Sequence, residues 1–201
     1  NDILAEIPEQ ISALVTPPAE VESSKRAMII GVDGLDGEEM HIAQTPTINR
    51  LQTGGLWSRE ASTQLTGNTS SGPGWTSILT GVEVKDHYIT SNGNYGARNQ
   101  QFPSFLKRLR DNNYTTGESI QWADIFSILE SDAYNSYGSG NQQEVTDWVI
   151  EQLESEEGYD AYFVHLDDVD HAGHAHGFTA DQEEYNLAIE EADRNIGEIL
   201  D

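Results

Sequence analysis

Three short stretches hold residues whose types and spacing could do chemistry. "TSSGPGW" sets Thr69, Ser70 and Ser71 before Gly-Pro-Gly-Trp and then runs into the apolar "TSILTG". "IIGVDG" ends an apolar run on Asp33-Gly34. "HLDDVDHAGHAHGF" places Asp167, Asp168, Asp170, His171, His174 and His176 together. A hydroxyl at a helix N-terminus sees free N–H groups and the positive end of the dipole, which also receive a phosphate. A nearby metal ion would make such a hydroxyl a nucleophile. Taken alone, the stretch reads first as an ordinary N-cap. Carboxylates with imidazoles suit zinc, iron or manganese, and Asp170 and His174 stand at a spacing that one helical turn or a tight loop brings to one ion. Taken alone, that stretch also reads as a solvated acidic loop. An EF-hand calcium site does not fit, because the Asp-x-Asp-x-Asp-Gly spacing and the closing Glu are missing.

The elements that must position these groups are legible in the hydrophobic pattern. Ala27 to Val32 and Ala161 to Leu166 are continuous apolar runs that stop on acids, as buried strands of a parallel sheet do. "YTTGESI" is a further candidate strand. Helices are expected from Pro46, with Thr45 as cap and Ile48 and Leu51 inward; over "WTSILTG"; over "PSFLKRLRDNNY", with Phe105, Leu106 and Leu109 on one face; and over "QEVTDWVIEQLES", with Val145, Trp148, Val149 and Leu153 in register. A last helix is expected after a Thr179 cap, with Tyr185, Ile189, Ala192, Ile196 and Ile199 or Leu200 inward. Strands alternating with helices predict an α/β fold, a mostly parallel sheet with helices on both faces. Ligands of such sheets bind beyond the carboxyl ends of the strands, where Asp33 and the acids from Asp167 to Asp170 fall. Residues 1–26, with Pro17-Pro18 and a charged, small-residue stretch, read as a tail or linker.

Composition narrows the functions. The 201 residues carry 35 acids against 10 Lys and Arg, a net charge of −25, so phosphate-backbone binding to nucleic acid is disfavoured. The acids suit either a high-salt setting or ordinary solubility. No apolar run is long enough to span a bilayer. The absence of cysteine excludes disulfides and thiolate zinc sites. The start at Asn1, with no basic, apolar leader, reads as a mature or trimmed chain.

Together these segments resemble the alkaline phosphatase superfamily, nearest its nucleotide pyrophosphatase/phosphodiesterase branch. "MIIGVDGLDGEEM" resembles the opening strand with its metal-binding aspartate. "TPTINRLQTGG" resembles the following "TPNLDRLAEEG" segment, and "SSGPGWTSILTGVEVKDHYITSN" the nucleophile segment. "YFVHLDDVDHAGHAHGF" resembles the "EPDxxGHxxGP" metal loop, and "ADRNIGEIL" the "VDxxIGxLL" helix. The resemblance runs in order from Ala27 to Asp201. It implies an alkaline phosphatase-like fold, incomplete at the C-terminus, with residues 27–201 as the N-terminal portion of a catalytic domain. It implies metal-dependent hydrolysis of small phosphate esters, with two divalent metal ions, zinc, as cofactors. Ser71, two residues before Pro73, would be the nucleophile. Asp33 and Ser71 would bind one ion, Asp170 and His174 the other. Asn92 and the Gly72 N–H would hold a phosphoryl oxygen. His171 and His176 fall on positions that are not ligands.

Two departures stand out. Trp75 replaces the arginine of the sulfatase pattern, which speaks against a formylglycine sulfatase. Tyr88 replaces the usual glycine after His87. The family also supplies three further ligands downstream, an Asp-His pair and a histidine, and no histidine follows His176. The resemblance therefore implies a missing C-terminal half, from a longer chain or a partner chain, and an extracellular or periplasmic location. The same features in a chain lacking those ligands also fit an inactive fold kept for binding or assembly, with residues 1–26 as an arm.

Overall fold

The computed structural model describes residues 26–58, 69–93, 95, 101–129, 133, 135–156, 158–179 and 181–201. The expected tail, apart from Arg26, lies outside them. Four strands form one sheet: β1 (Ala27–Val32), β2 (Thr116–Ile120), β3 (Asn135–Gly138) and β4 (Ala161–Leu166), in the order β1-β4-β2-β3. Every pairing is parallel. The helices are α1 (Pro46–Gly54), α2 (Ser71–Thr80), the short α3 (Val84–His87), α4 (Phe105–Asp111), α5 (Asp124–Leu129), α6 (Gln142–Glu154), α7 (Asp168–His176) and α8 (Glu183–Leu200).

β4 is central and buried along its whole length, which is why it reads as an unbroken apolar run. Its side chains alternate between two cores. Tyr162, Val164 and Leu166 pack with Val145 and Val149 of α6 and with Tyr185, Ile189, Ala192, Ile196 and Ile199 of α8. Phe163 packs on the other face with Trp75, Leu79, Leu106, Ile120 and Ile125 from α2, α4, β2 and α5. Helices thus cover both faces, as the alternation predicts. Ile199 lies inward and Leu200 outward, while Leu51 of α1 is half exposed rather than buried.

Three local readings change. Thr179 does not cap the last helix. That helix begins at Glu183 with Gln182 at its N-cap, and the Thr179 hydroxyl donates to the Asp181 carboxylate instead. The nearby acid offers that hydroxyl an acceptor before the helix starts. Thr45 holds the N-cap position of α1 without a side-chain cap bond. The cap comes from α8: Asp193 Oδ2 accepts from the Thr47 N–H at 3.0 Å and Oδ1 from the Ile48 N–H at 2.7 Å. Finally, α2 begins at Ser71 itself, so "SGPGW" forms its first turn.

The "ADRNIGEIL" segment is therefore a docking device. Asp193, 2% exposed, satisfies the orphan donors of α1. Gly197 lets the two helices meet, since a Cβ there would lie 2.8 Å from Thr47 Oγ1. Asp193→Ala is expected to lower stability by about 2 kcal/mol. The check is a denaturant midpoint that falls at unchanged slope.

Candidate metal centre

β1 and β4 run in register, Val32 beside Leu166, and the Asp33 N–H donates to the Leu166 carbonyl at 2.9 Å. The chain after each strand thus starts from one level. After β1 it turns through Asp33-Gly34. Gly34 has φ +70°, and a Cβ there would lie 2.4 Å from the Asp170 Cα. Only glycine permits both that conformation and that approach. After β4 the chain enters α7, which carries Asp170 and His174 one turn apart, with His174 Nε2 3.4 Å from Asp170 Oδ2. A parallel pair joins His171 Nε2 to Asp167 Oδ2 at 3.2 Å.

Asp33 is the most heavily bonded of the acids. Its Oδ1 accepts from the Gly34 N–H at 3.0 Å and its Oδ2 from Trp75 Nε1 at 2.7 Å. Ser71 also stands close enough to it to help hold its carboxyl low. His165 Nε2 stands 3.6 Å from Oδ2. Burial pushes the Asp33 carboxyl up, but the groups around it, His165 first, then Trp75 and Ser71, outweigh it, and its pKa lies below the ordinary carboxylate value. Its neighbours go the other way. Burial and then the charge of Asp33 raise Asp170. Burial, with added repulsion from Asp33 and Asp170, raises Asp167 to about 6, against the pull of His165 and His171.

The structure brings Asp33 and Ser71 together, sets Asp170 against Gly34, and pairs Asp170 with His174. His174 itself is 73% exposed. On the other side of α2, the Gly72 N–H donates to Asn92 Oδ1 at 2.8 Å. That N–H, expected to face a phosphoryl oxygen, is thus engaged by Asn92, whose Nδ2 amino group remains the donor the pair has to offer. A Cβ on Gly72 would lie 2.9 Å from Asn92 Oδ1, so the glycine makes room for this contact. Tyr88, which stands in for the usual glycine, holds φ +56°, the left-handed conformation that glycine favours.

Sequence reasoning missed His165 and did not single out Asp167 from the acids beside it. Ligand atoms of Asp33, His165 and Asp167 all lie within 4.8 Å of one another. The available signal was one imidazole, His165, inside an otherwise apolar strand. Asp167 is held by the β2 side of the sheet: its N–H donates to Gln121 Oε1 at 2.6 Å, while Gln121 Nε2 donates to Asp168.

These shifts set a pH dependence. In metal-free protein Asp167 binds its proton more tightly folded than unfolded. Its contribution to stability is therefore present near pH 4 and lost as pH rises through about 6. Asp170 acts in the same direction. Asp33 acts oppositely, and at lower pH. With chelator present, the thermal midpoint is expected to fall across that window, and Asp167→Asn to flatten the fall. An unchanged slope in the variant would contradict the assignment.

Comparison with known proteins supports the architecture. The model of the Metalloenzyme superfamily matches residues 32–201. No curated protein sequence matches. Among solved structures, an inactive variant of murine ectonucleotide pyrophosphatase/phosphodiesterase 5 in complex with AMP is similar, with TM-score 0.71 and 14% identity over 88% of this chain and 51% of that one. The human ectonucleotide pyrophosphatase/phosphodiesterase 5 aligns with TM-score 0.66 and 15% identity, over 88% and 51% of the two chains. Phosphonoacetate hydrolase from Sinorhizobium meliloti 1021, with phosphonoformate, aligns with TM-score 0.61 and 14% identity, over 87% and 53%. The chain spans about half the length of these structures. With its parallel sheet, its two helical layers and this match, the chain belongs to the Metalloenzyme superfamily and has the alkaline phosphatase-like fold of the N-terminal part of such enzymes.

Proposed function

We propose that this chain, over residues 27–201, is the nucleophile-bearing N-terminal portion of a hydrolase of small phosphate esters. The type is a phosphodiesterase or nucleotide pyrophosphatase, with Ser71 as nucleophile. The observation that carries the reading is the approach of Ser71, in the first turn of α2, to Asp33, at the end of β1, whose carboxyl Ser71 helps to hold low. The N-cap position of α2 falls to Ser70, so Ser71 is not placed as a cap.

The donors fit divalent ions. Asp33, Asp167 and Asp170 converge, and the last two are pushed toward protonation in part by the charge of the first. A cation relieves that repulsion. Asp33 and Ser71 would hold one ion, and Asp170 and His174 another; zinc suits such a set. Bound there, divalent ions supply Lewis acidity that lowers the proton affinity of a hydroxyl ligand and offsets charge on a phosphoryl group.

The chain's own residues do the rest. Asp33, kept ionised, orients the Ser71 hydroxyl and is an acceptor for its proton. Ser71 Oγ bonds to phosphorus as the bond from phosphorus to the leaving oxygen breaks, giving a phosphoserine that water then cleaves. The Asn92 amide, its oxygen held by the Gly72 N–H, donates to a phosphoryl oxygen. The neighbour in complex with AMP is an inactive threonine-to-alanine variant, which supports a hydroxyl nucleophile in this fold. An extracytoplasmic setting belongs to the proposal and is supported by the ectonucleotide names of the neighbours. Among the described residues no helix is long and apolar enough to cross a membrane.

The test is hydrolysis of bis(4-nitrophenyl) phosphate by the full-length protein. Ser71→Ala is expected to lower kcat by about three orders of magnitude or more, with unchanged circular dichroism. Chelator is expected to abolish turnover and zinc to restore it. Turnover that survives Ser71→Ala would refute the nucleophile. A folded, metal-loaded full-length protein without turnover would favour a fold kept for binding.

A further inference from the structure

We propose that Trp75 and His165 are the positioning residues of Asp33: two fixed N–H groups aimed at its Oδ2, the indole bonded to it and the imidazole facing it, that set the direction in which the carboxylate meets a metal ion. The inference rests on the reading of Asp33 as a ligand.

His165 is wholly buried, and its Nε2 has no hydrogen-bond partner within reach. That nitrogen faces Asp33 Oδ2 at 3.6 Å. A buried polar atom of this kind needs either a partner or an ion. The other ring nitrogen decides between them. Nδ1 faces the Trp122 backbone N–H at 3.5 Å as its acceptor, which places the imidazole proton on Nε2, toward the carboxylate. A histidine that bound a metal through Nε2 would carry its proton on Nδ1, donor against donor with Trp122. Ligating histidines instead donate their second N–H to an acceptor. His165 therefore acts on Asp33 rather than joining it as a ligand, although the three groups are close enough to share an ion.

Trp75 completes the clamp. Its Nε1 donates to the same Oδ2 at 2.7 Å, and its ring meets the His165 ring edge to face at 4.8 Å. The indole lies across β1 because Gly31 has no side chain; a Cβ there would lie 2.2 Å from the indole. Trp75 also stands one helical turn after Ser71. The two residues share a face of α2, so one rigid helix delivers both the hydroxyl and the indole donor to Asp33. This gives a use to the tryptophan that occupies the arginine position of the sulfatase pattern.

The experiment measures zinc affinity of the full-length protein by competition with a chromogenic chelator. The relevant site is defined as the binding lost in Asp33→Asn. Trp75→Phe keeps the ring and removes the donor; His165→Leu removes the imidazole; His165→Gln keeps an N–H donor but no imidazole. Trp75→Phe and His165→Leu are each expected to weaken that site by about 10–100-fold, and His165→Gln to recover most of the loss. Wild-type affinity in either Trp75→Phe or His165→Leu would overturn the clamp. His165→Gln as weak as His165→Leu would make His165 a ligand instead. Wild-type affinity in Asp33→Asn would instead overturn the reading of Asp33 as a ligand, on which the clamp depends.

Discussion

The parallel register of β1 and β4 is the constraint on which the rest of the site depends. Because Val32 lies beside Leu166, the two chains leave the sheet at the same level, and the backbone bond from Asp33 to Leu166 fixes that level. A slip of one residue would reverse the faces of every side chain beyond it. Asp33 would then leave the Trp75 and Ser71 side of the sheet. The two cores above and below β4 resist such a slip, since its alternating side chains belong to opposite layers. The stability of the fold and the geometry of the centre are thus one problem.

That geometry concentrates negative charge where the strands end. Asp33 is held ionised by hydrogen bonds, and the burial of Asp167 and Asp170 beside it then raises both. The folded chain accepts this strain because the acids sit on different elements, each anchored elsewhere. Gln121 grips the start of α7 from the end of β2, and Tyr185 of α8 donates to the Gly34 carbonyl at 2.8 Å. A site of this kind is organised before an ion arrives, which favours tight and oriented binding. Its net charge also attracts cations from a distance.

Much of this was legible from sequence because it is written in local pattern. The apolar runs of β1 and β4, the four-residue spacing of Asp170 and His174, and the hydroxyl before Gly-Pro-Gly each need only neighbours to interpret. What was hidden depends on contacts between distant segments. Asp193 caps a helix 146 residues away, which no local cap rule can find. β3 is a short polar edge strand, "NSYG", without a two-residue alternation of apolar side chains. His165 looks like a core histidine until β1 is laid beside β4. Asp167, Asp168 and Asp170 cannot be ranked by type alone. Their difference lies in burial and in which side of α7 meets Gly34. Thr179 misled because a hydroxyl before a helix is a good cap only when no nearer acceptor competes.

The most direct measurement of the central claim is an anomalous-scattering map from crystals of the full-length protein grown with zinc. The account predicts a peak about 2.0–2.2 Å from an Asp33 carboxylate oxygen, with Ser71 Oγ on the same ion and His165 outside bonding distance. A folded protein whose zinc peaks lie away from Asp33 and Ser71 would contradict it.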